Sequence, residues 1–284
     1  MIRAGLIGAG IQASLTPQLH IKEGQSQGLA YAYELIDLQE VGADEQALPR
    51  LLAEAESKGF AGLNITHPCK QAVLPLLHDL SPEAATIGAV NTVVFVGGKR
   101  LGHNTDWWGF AESFKRGLPE VPRQQVVLLG AGGAGAALAY AAYRLGVQRL
   151  LIFDVDLSRA EHLAARCNER LCPDFAVATA NLAASIAEAD GLMQATPIGM
   201  FGHPGLPVAP EFLHPSLWVS EVIYTPLETA LLRQARALGC QVLNAAGMTV
   251  FQAVKAFALF TGLPADPERM QRHFDSLLSL SKVR

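Results

Sequence analysis

Two groups of residues in this chain have types and spacings suited to chemistry. The first is Asn64, Thr66 and Lys70, carried by Phe60-Ala61-Gly62-Leu63-Asn64-Ile65-Thr66-His67-Pro68-Cys69-Lys70. Pro68 keeps its neighbour out of the helical region and sits at the mouth of a strand, so these polar groups gather where strand ends carry ligands. Lys70 opens the next helix, where a cation meets the positive end of the dipole. A local misfit of that kind marks functional sites; the plain alternative is a surface lysine. The second group is Gly130-Ala131-Gly132-Gly133-Ala134-Gly135 together with Asp154. Gly130 permits a tight turn, Gly132 lets backbone amides approach a pyrophosphate, and Gly135 lets the following helix pack closely. The helix N-terminus adds positive potential, and an acid about twenty residues on can accept hydrogen bonds from an adenosine ribose.

Five further positions carry polar groups in telling places. Ser14 and Thr16, in Ser14-Leu15-Thr16-Pro17, either cap a helix or line a pocket for a small polar substrate. Asn91 lies within the apolar run Ile87 to Val94, read as a strand, and a buried amide must bond to protein or ligand. Asp106, closing Leu101 to Asp106, is either an N-cap for the helix that follows or a catalytic acid. Gln252 is one amide on the apolar helix Thr249 to Phe260, bonded in the core or aimed into a cleft.

The elements that must position these groups alternate between strand and helix. Ile2 to Ile7 and Tyr31 to Leu38 read as strands, and Leu48 to Lys58 is an amphipathic helix stopped by Gly59. Gly8-Ala9-Gly10-Ile11-Gln12-Ala13, with Asp37 after it, forms a second dinucleotide-like fingerprint. Against it, the helix that follows begins several residues late, near Pro17, too far for its N-terminus to meet a phosphate held by that turn. Pro119 and Pro122 bracket a linker before the strand Val126 to Leu129. Beyond Asp154 come a helix Arg159 to Arg170, a strand near Phe175 to Ala178 and a helix Leu182 to Ala189. A strand then runs into Thr196-Pro197-Ile198-Gly199-Met200, followed by Val219 to Val222, helix Thr229 to Leu238 and strand Gln241 to Leu243. The expected architecture is α/β in two domains. One is an N-terminal, mostly parallel α/β substrate domain, residues 1–106 completed by 242–284; the other is a Rossmann-type dinucleotide-binding domain, residues 107–241.

Composition narrows the partners. Half of the 284 residues are hydrophobic, enough for two buried cores. With a net charge of −4 and no basic block, a nucleic-acid surface is not expected. The longest apolar stretches are broken well short of a bilayer span, so no membrane partner is expected, and the N-terminus lacks the pattern of a secretory signal. The expected setting is the cytoplasm. Cys69, Cys167, Cys172 and Cys240 show no paired spacing and are read as reduced, and the scattered histidines argue against a metal site.

Taken together, Ser14-Leu15-Thr16-Pro17, Asn64 to Lys70, Gly88-Ala89-Val90-Asn91-Thr92 and Gly102-His103-Asn104-Thr105-Asp106 resemble the substrate and catalytic motifs of the shikimate/quinate dehydrogenases. The glycine run, Thr196 to Met200, Tyr224 to Thr229 and the Gln252-Ala253 helix resemble the remaining signatures of that family, so the likeness spans nearly the whole chain. The resemblance implies hydride transfer between a nicotinamide and the C3 hydroxyl of a cyclohexene or cyclohexane carboxylate, in a monomer or homodimer. Lys70 and Asp106 would be the catalytic pair, without deciding which accepts the proton. Ser14 and Thr16 would hold the substrate carboxylate, with Asn64, Thr66, Asn91, Tyr224 and Gln252 around its hydroxyls and carboxylate. Gly130, Ala131, Gly132, Gly133, Ala134, Gly135, Asp154, Arg159, Thr196 and Gly247 would serve the cofactor.

The cofactor expected is NAD. A 2′-phosphate placed a few ångströms from Asp154 costs on the order of several kcal/mol at an effective dielectric of about 20, although Arg159 offers such a phosphate a partner. NADP-using members of the family usually carry an Asn-Arg-Thr/Ser type sequence where this chain has Asp154-Val155-Asp156-Leu157-Ser158-Arg159. Thr16 in place of the commoner serine is also similar to the NAD-using quinate/shikimate branch. Ala9-Gly10 replaces a usual proline-containing turn, and Glu221 and Asn244 replace common aspartates, which leaves the choice between the two substrates open. The competing readings are an NADP-dependent biosynthetic shikimate dehydrogenase, an aminoshikimate-type dehydrogenase, and a nucleotide-sensing module without turnover.

Overall fold

The computed structural model describes residues 1–281 and divides into two compact units, Met1–Thr105 with the segment from Val250 onward, and Asp106–Thr249. The first unit opens with β1 (Ile2–Gly8), α1 (Thr16–Ser26), β2 (Tyr31–Asp37), α2 (Leu48–Ser57) and β3 (Gly62–Ile65). It continues through α3 (Cys69–Ala72), β4 (Asp79–Leu80), α4 (Pro82–Ile87), β5 (Thr92–Val96) and β6 (Lys99–His103). Its sheet has the order β2-β1-β3-β5-β6-β4. β2, β1 and β3 are mutually parallel, β3 to β5 and β5 to β6 are antiparallel, and β4 lies parallel to β6.

The second unit holds α5 (Asp106–Gly117), β7 (Gln125–Leu129), α6 (Gly133–Arg144), β8 (Arg149–Phe153), α7 (Leu157–Arg170), β9 (Ala176–Ala178) and α8 (Leu182–Ala187). β10 (Gly191–Gln194), β11 (Trp218–Glu221), α9 (Ala230–Ala237) and β12 (Gln241–Leu243) complete it. The sheet is parallel throughout, in the order β12-β11-β10-β7-β8-β9. The chain reverses its direction of winding between β7 and β10, and such a switch point leaves a crevice beyond the strands' carboxyl ends. α10 (Ala246–Thr261) crosses the division at Thr249, and α11 (Pro267–Ser281) follows it in the first unit. β12 pairs with β11 and so belongs to the second sheet, and the chain returns to the first unit at Val250 rather than near 242. No described helix is long and apolar enough to cross a membrane.

Period-two patterning builds both faces of the first sheet. Ile7, Leu63, Ile65 and Val93 pack with Leu48, Leu51 and Leu52 of α2 on one face, and Ala4, Leu6 and Tyr33 pack with Ala256 and Phe260 of α10 on the other. In the second unit Val127, Leu129, Leu192 and Val219 pack with Ile186, Leu231 and Leu232. All four cysteines are free thiols.

One local expectation fails. Ile87 to Ala89 is not strand: Ser81 accepts the Ala84 amide to cap α4, Ile87 ends that helix, and Gly88 closes it at φ 69°. Asn91 therefore immediately precedes β5 instead of lying inside a strand. The apolar period across Ile87 to Val94 hid a helix stop, because only the left-handed glycine separates the two elements.

α1 and α11 are tied by a buried ion pair. Glu23, fully buried, accepts Arg269 Nε at 2.8 Å and Nη2 at 2.5 Å, the Asp266 amide at 3.0 Å and Gln27 Nε2 at 2.7 Å. Burial pushes its carboxyl up, but these bonds hold it below the ordinary glutamate range. Glu23→Ala leaves the part-exposed guanidinium to Asp266, at 3.4 Å, and the Asp266 amide without its acceptor, and should cost about 1–3 kcal/mol in urea unfolding; an unchanged midpoint would remove the pair from the account of stability.

Candidate functional site

In the second unit the glycine turn is fixed from both sides. Gly130 sits at φ 94°, and a Cβ there would come within 3.0 Å of the Ala195 carbonyl oxygen and 3.1 Å of Thr196 Cγ2. A Cβ on Gly135 would lie 1.9 Å from the Gly130 carbonyl oxygen, so α6 packs directly on the turn that precedes it. Gly132 is the N-cap of α6, and no side chain caps that helix. Its first-turn amides keep their capacity for an anion. Asp154, half-buried at the end of β8, accepts the Ala131 amide at 2.7 Å and the Asp156 amide at 3.0 Å. Arg159 brings Nη2 to 3.4 Å from where a Cβ on Gly132 would stand. The structure thus gathers Gly130 to Gly135, Asp154, Arg159 and Thr196 around one turn. Gly247 is placed by packing against α5: a Cβ there would meet Ser113 Oγ at 2.3 Å.

Two buried polar side chains at adjacent strand ends organise the neighbouring loops. Gln194 and Glu221 are register partners on β10 and β11 and so share a face. Gln194 Nε2 donates to the Thr196 and Ile198 carbonyls at 3.2 and 2.9 Å, and its Oε1 accepts the Thr196 amide at 3.0 Å. Thr196 Oγ1 accepts the Ile198 amide. Glu221 accepts the Val222 and Ile223 amides and, at 3.2 Å, the Thr229 hydroxyl. Thr229 Oγ1 also caps α9. Tyr224, half-buried, rides in the loop that Glu221 and Thr229 close.

The early glycine turn is already filled. Asp37, at the end of β2, accepts the Gly10 and Ile11 amides at 2.9 Å each, the Gln39 amide at 3.1 Å and Gln12 Nε2 at 3.2 Å. Burial raises its carboxyl, yet these bonds hold it below the usual range. A carboxylate thus takes the amides that a phosphate would need, and the turn is a structural lock. The capping alternative applies to Ser14 alone, which takes the first amide of α1. Leu15 is the N-cap of α1, with no capping bond of its own; Ser14 Oγ accepts the Thr16 amide at 3.3 Å and donates to Thr16 Oγ1 at 3.1 Å. Both hydroxyls are buried as a pair.

The polar residues of the first unit form one directed chain of hydrogen bonds. Thr105 N–H donates to Asn91 Oδ1 at 2.7 Å, and Thr92 Oγ1 donates to the same oxygen at 3.1 Å. Asn91 Nδ2 donates to Thr105 Oγ1 at 2.9 Å. Asn64 Nδ2 donates to Thr92 Oγ1 at 3.0 Å and to the Asn91 carbonyl at 3.4 Å, while Asn64 Oδ1 accepts the Tyr33 hydroxyl at 2.7 Å. A backbone N–H can only donate and a carbonyl can only accept, so Thr105 N and Asn91 O fix which end of each amide is oxygen. Lys70, half-buried on α3, joins this region through its carbonyl, which accepts the Val90 amide at 2.9 Å. The Asn91 amide in turn donates to the His103 carbonyl. Thr66 packs against the end of β1, where a Cβ on Gly8 would fall 2.2 Å from its Cγ2. Asp106, buried, follows Thr105 directly as the first residue of α5, and Gln252 is half-buried on α10.

Sequence reading missed Asp37 as a lock, gave Thr92 and Thr105 no role of their own within their motifs, and missed Tyr33 and Gln194 altogether. The one signal available was a polar residue inside or beside an apolar strand run, as in Gly191-Leu192-Met193-Gln194.

Comparison with known proteins gives a consistent result. Residues 6–93 match a family model described as the shikimate dehydrogenase substrate binding domain, and residues 112–205 match one described as the alanine dehydrogenase/PNT C-terminal domain. A shikimate dehydrogenase (NADP(+)) of Streptomyces avermitilis is 51% identical over 282 residues, covering 99% of this chain and 97% of that protein. A quinate/shikimate dehydrogenase (NAD(+)) of Corynebacterium efficiens is 47% identical, covering 97% and 98%. The structure of quinate dehydrogenase from Corynebacterium glutamicum in complex with NAD superposes with a TM-score of 0.89 at 47% identity, covering 97% of this chain and 99% of that one.

The loop lock at Glu221 has a pH signature. Burial pushes its carboxyl up to about 8, against the opposing bonds from Ile223, Thr229 and Val222. A raised native value stabilises fully below the unfolded glutamate range and is lost as pH rises through the native value. Against Glu221→Gln, the wild type should therefore lose on the order of a few kcal/mol in unfolding free energy between about pH 4.5 and pH 8. Parallel pH–stability curves for the two proteins would contradict this.

Proposed function

The chain belongs to the shikimate/quinate dehydrogenase family, and from that premise we propose that it is an NAD-dependent quinate/shikimate dehydrogenase. It oxidises the C3 hydroxyl of quinate, shikimate or both to 3-dehydroquinate and 3-dehydroshikimate. The nicotinamide nucleotide supplies the hydride acceptor when bound. The fit to such a nucleotide rests on the turn: no side chain caps α6, and the absence of a Cβ at Gly130 and Gly135 lets the turn lie against the Ala195 carbonyl and α6 lie against the turn. The observation that carries the choice of NAD is Asp154, a half-buried carboxylate bonded to the turn itself. A 2′-phosphate beside it would face like charge. The NADP reading is favoured by two observations, the guanidinium of Arg159 beside Gly132 and the 51% identity to a shikimate dehydrogenase (NADP(+)) against 47% for the NAD(+) relative.

In this reading Lys70 and Asp106 flank the reacting carbinol. The C–H bond breaks with its electron pair leaving as hydride, and the hydroxyl proton passes to one of these two side chains, leaving the ketone. Ser14 donates into Thr16 Oγ1, so the Thr16 hydroxyl turns its own proton outward toward an acceptor, which suits a substrate carboxylate. Asn64, Thr66, Asn91, Tyr224 and Gln252 surround the ring's hydroxyls and carboxylate. The first unit holds the carbocyclic acid and the second the nucleotide. The enzyme works in the cytoplasm, as a monomer or homodimer.

Initial rates followed at the reduced-nicotinamide absorbance, with both acids and both nucleotides, test the reading. We expect kcat/KM with NAD to exceed that with NADP by about tenfold or more, as a like charge of a few kcal/mol requires. A preference for NADP would transfer the chain to the biosynthetic reading, and no turnover in any combination would leave the nucleotide-sensing module. Lys70→Ala should lower kcat at least about a hundredfold, the usual contribution of a positioned acid or base, with little change in substrate KM. An unchanged kcat would take Lys70 out of the mechanism.

A further inference from the structure

Tyr33 lies on β2 and Asn64 on β3, the two neighbours of β1, and the phenol reaches across β1 to donate to Asn64 Oδ1 at 2.7 Å. The ring is held from behind by His20, whose centroid stands 4.7 Å away and which is itself fully buried. Burial lowers that imidazole to about 3 despite Glu23 nearby, so the ring beside the phenol is uncharged. Both Asn64 Nδ2 hydrogens are engaged, by Thr92 Oγ1 and the Asn91 carbonyl. The amide oxygen therefore has one lone pair taken by Tyr33 and one remaining.

We propose that Tyr33 is a positioning residue: it fixes the Asn64 amide so that Asn64 offers a ligand only its oxygen, and therefore receives a hydroxyl of the carbocyclic acid rather than its carboxylate. This rests on the dehydrogenase reading of the site. Without the phenol O–H, the amide is oriented only by the long 3.4 Å bond to the Asn91 carbonyl, since the Thr92 hydroxyl can accept or donate, and it can turn about its last torsion, exchanging oxygen for nitrogen at the ligand's side. An acceptor held in place before binding contributes equally to ground and transition states, so its loss appears in KM.

The test is steady-state kinetics of wild type, Tyr33→Phe, Tyr31→Phe, Asn64→Ala and the Tyr33→Phe/Asn64→Ala pair. Tyr31 is the matched control: it is a neighbouring phenol whose hydroxyl meets His20 Nδ1 at 3.1 Å rather than Asn64. Tyr33→Phe should raise KM for quinate or shikimate about three- to tenfold, the range for one lost hydrogen bond, while kcat and the KM for nucleotide stay within about twofold. Tyr31→Phe should leave the substrate KM unchanged, and Tyr33→Phe should add nothing in the Asn64→Ala background. Equal effects of the two phenylalanine variants, an unmoved KM in Tyr33→Phe, or additive effects in the double variant would overturn the proposal. A wild type that turns over neither acid removes the underlying reading, and the proposal with it, before any variant is assayed.

Discussion

The structure depends on one requirement: backbone amides released at the carboxyl ends of parallel strands must find acceptors. In this chain side-chain oxygens supply them. Asp37 closes the turn after β1, Asp154 holds the turn after β7, Gln194 gathers the loop after β10, and Glu221 closes the loop after β11. Each is buried or half-buried, and each bonds within a few residues of where a loop begins. Unpaired amides in such places would cost about 1–3 kcal/mol each. These locks therefore determine which amides remain to meet an anion.

The same requirement separates two turns that look alike in sequence. Gly8 to Ala13 and Gly130 to Gly135 both follow an apolar strand, and both have an aspartate at the end of the next strand. Asp37 takes two successive amides of the first turn, and α1 begins only at Thr16. Asp154 takes one amide of the second, and α6 starts within the glycine run with no side-chain cap. A carboxylate already occupies the first turn, while the second still presents a helix N-terminus. The difference lies in how many amides the acid captures and where the helix starts, more than in the glycines themselves.

Much of this was legible in the sequence where the determining interactions are local. The strand, turn, helix and strand from Gln125 to Asp154 could be read because each boundary is set by residues within a few positions of it. The late start of α1 was legible from Pro17 for the same reason. Ile87 to Val94 misled, since its apolar spacing continues unbroken across a helix stop that only Gly88 marks. The directed chain from Tyr33 through Asn64, Thr92 and Asn91 to Thr105 was not legible. It joins β2, β3, the start of β5 and the end of the first unit, residues brought together by sheet pairing and not by sequence separation. Gln194 and Glu221 were opaque for a further reason: nothing in either residue's neighbourhood says that its side chain folds back onto its own loop.

The central claim is that the dinucleotide meets the turn after β7 and not the turn after β1. Gly132 is the place to test it, because within 4 Å a Cβ there would meet only the flexible end of Arg159. A valine at that position should leave the fold intact while obstructing a pyrophosphate. Titration calorimetry of NAD against Gly132→Val and Asp37→Asn is the direct measurement. The account predicts that Gly132→Val weakens NAD binding about tenfold or more with little change in melting temperature, and that Asp37→Asn leaves the NAD affinity as it was. Unchanged affinity in Gly132→Val together with lost affinity in a folded Asp37→Asn would contradict it.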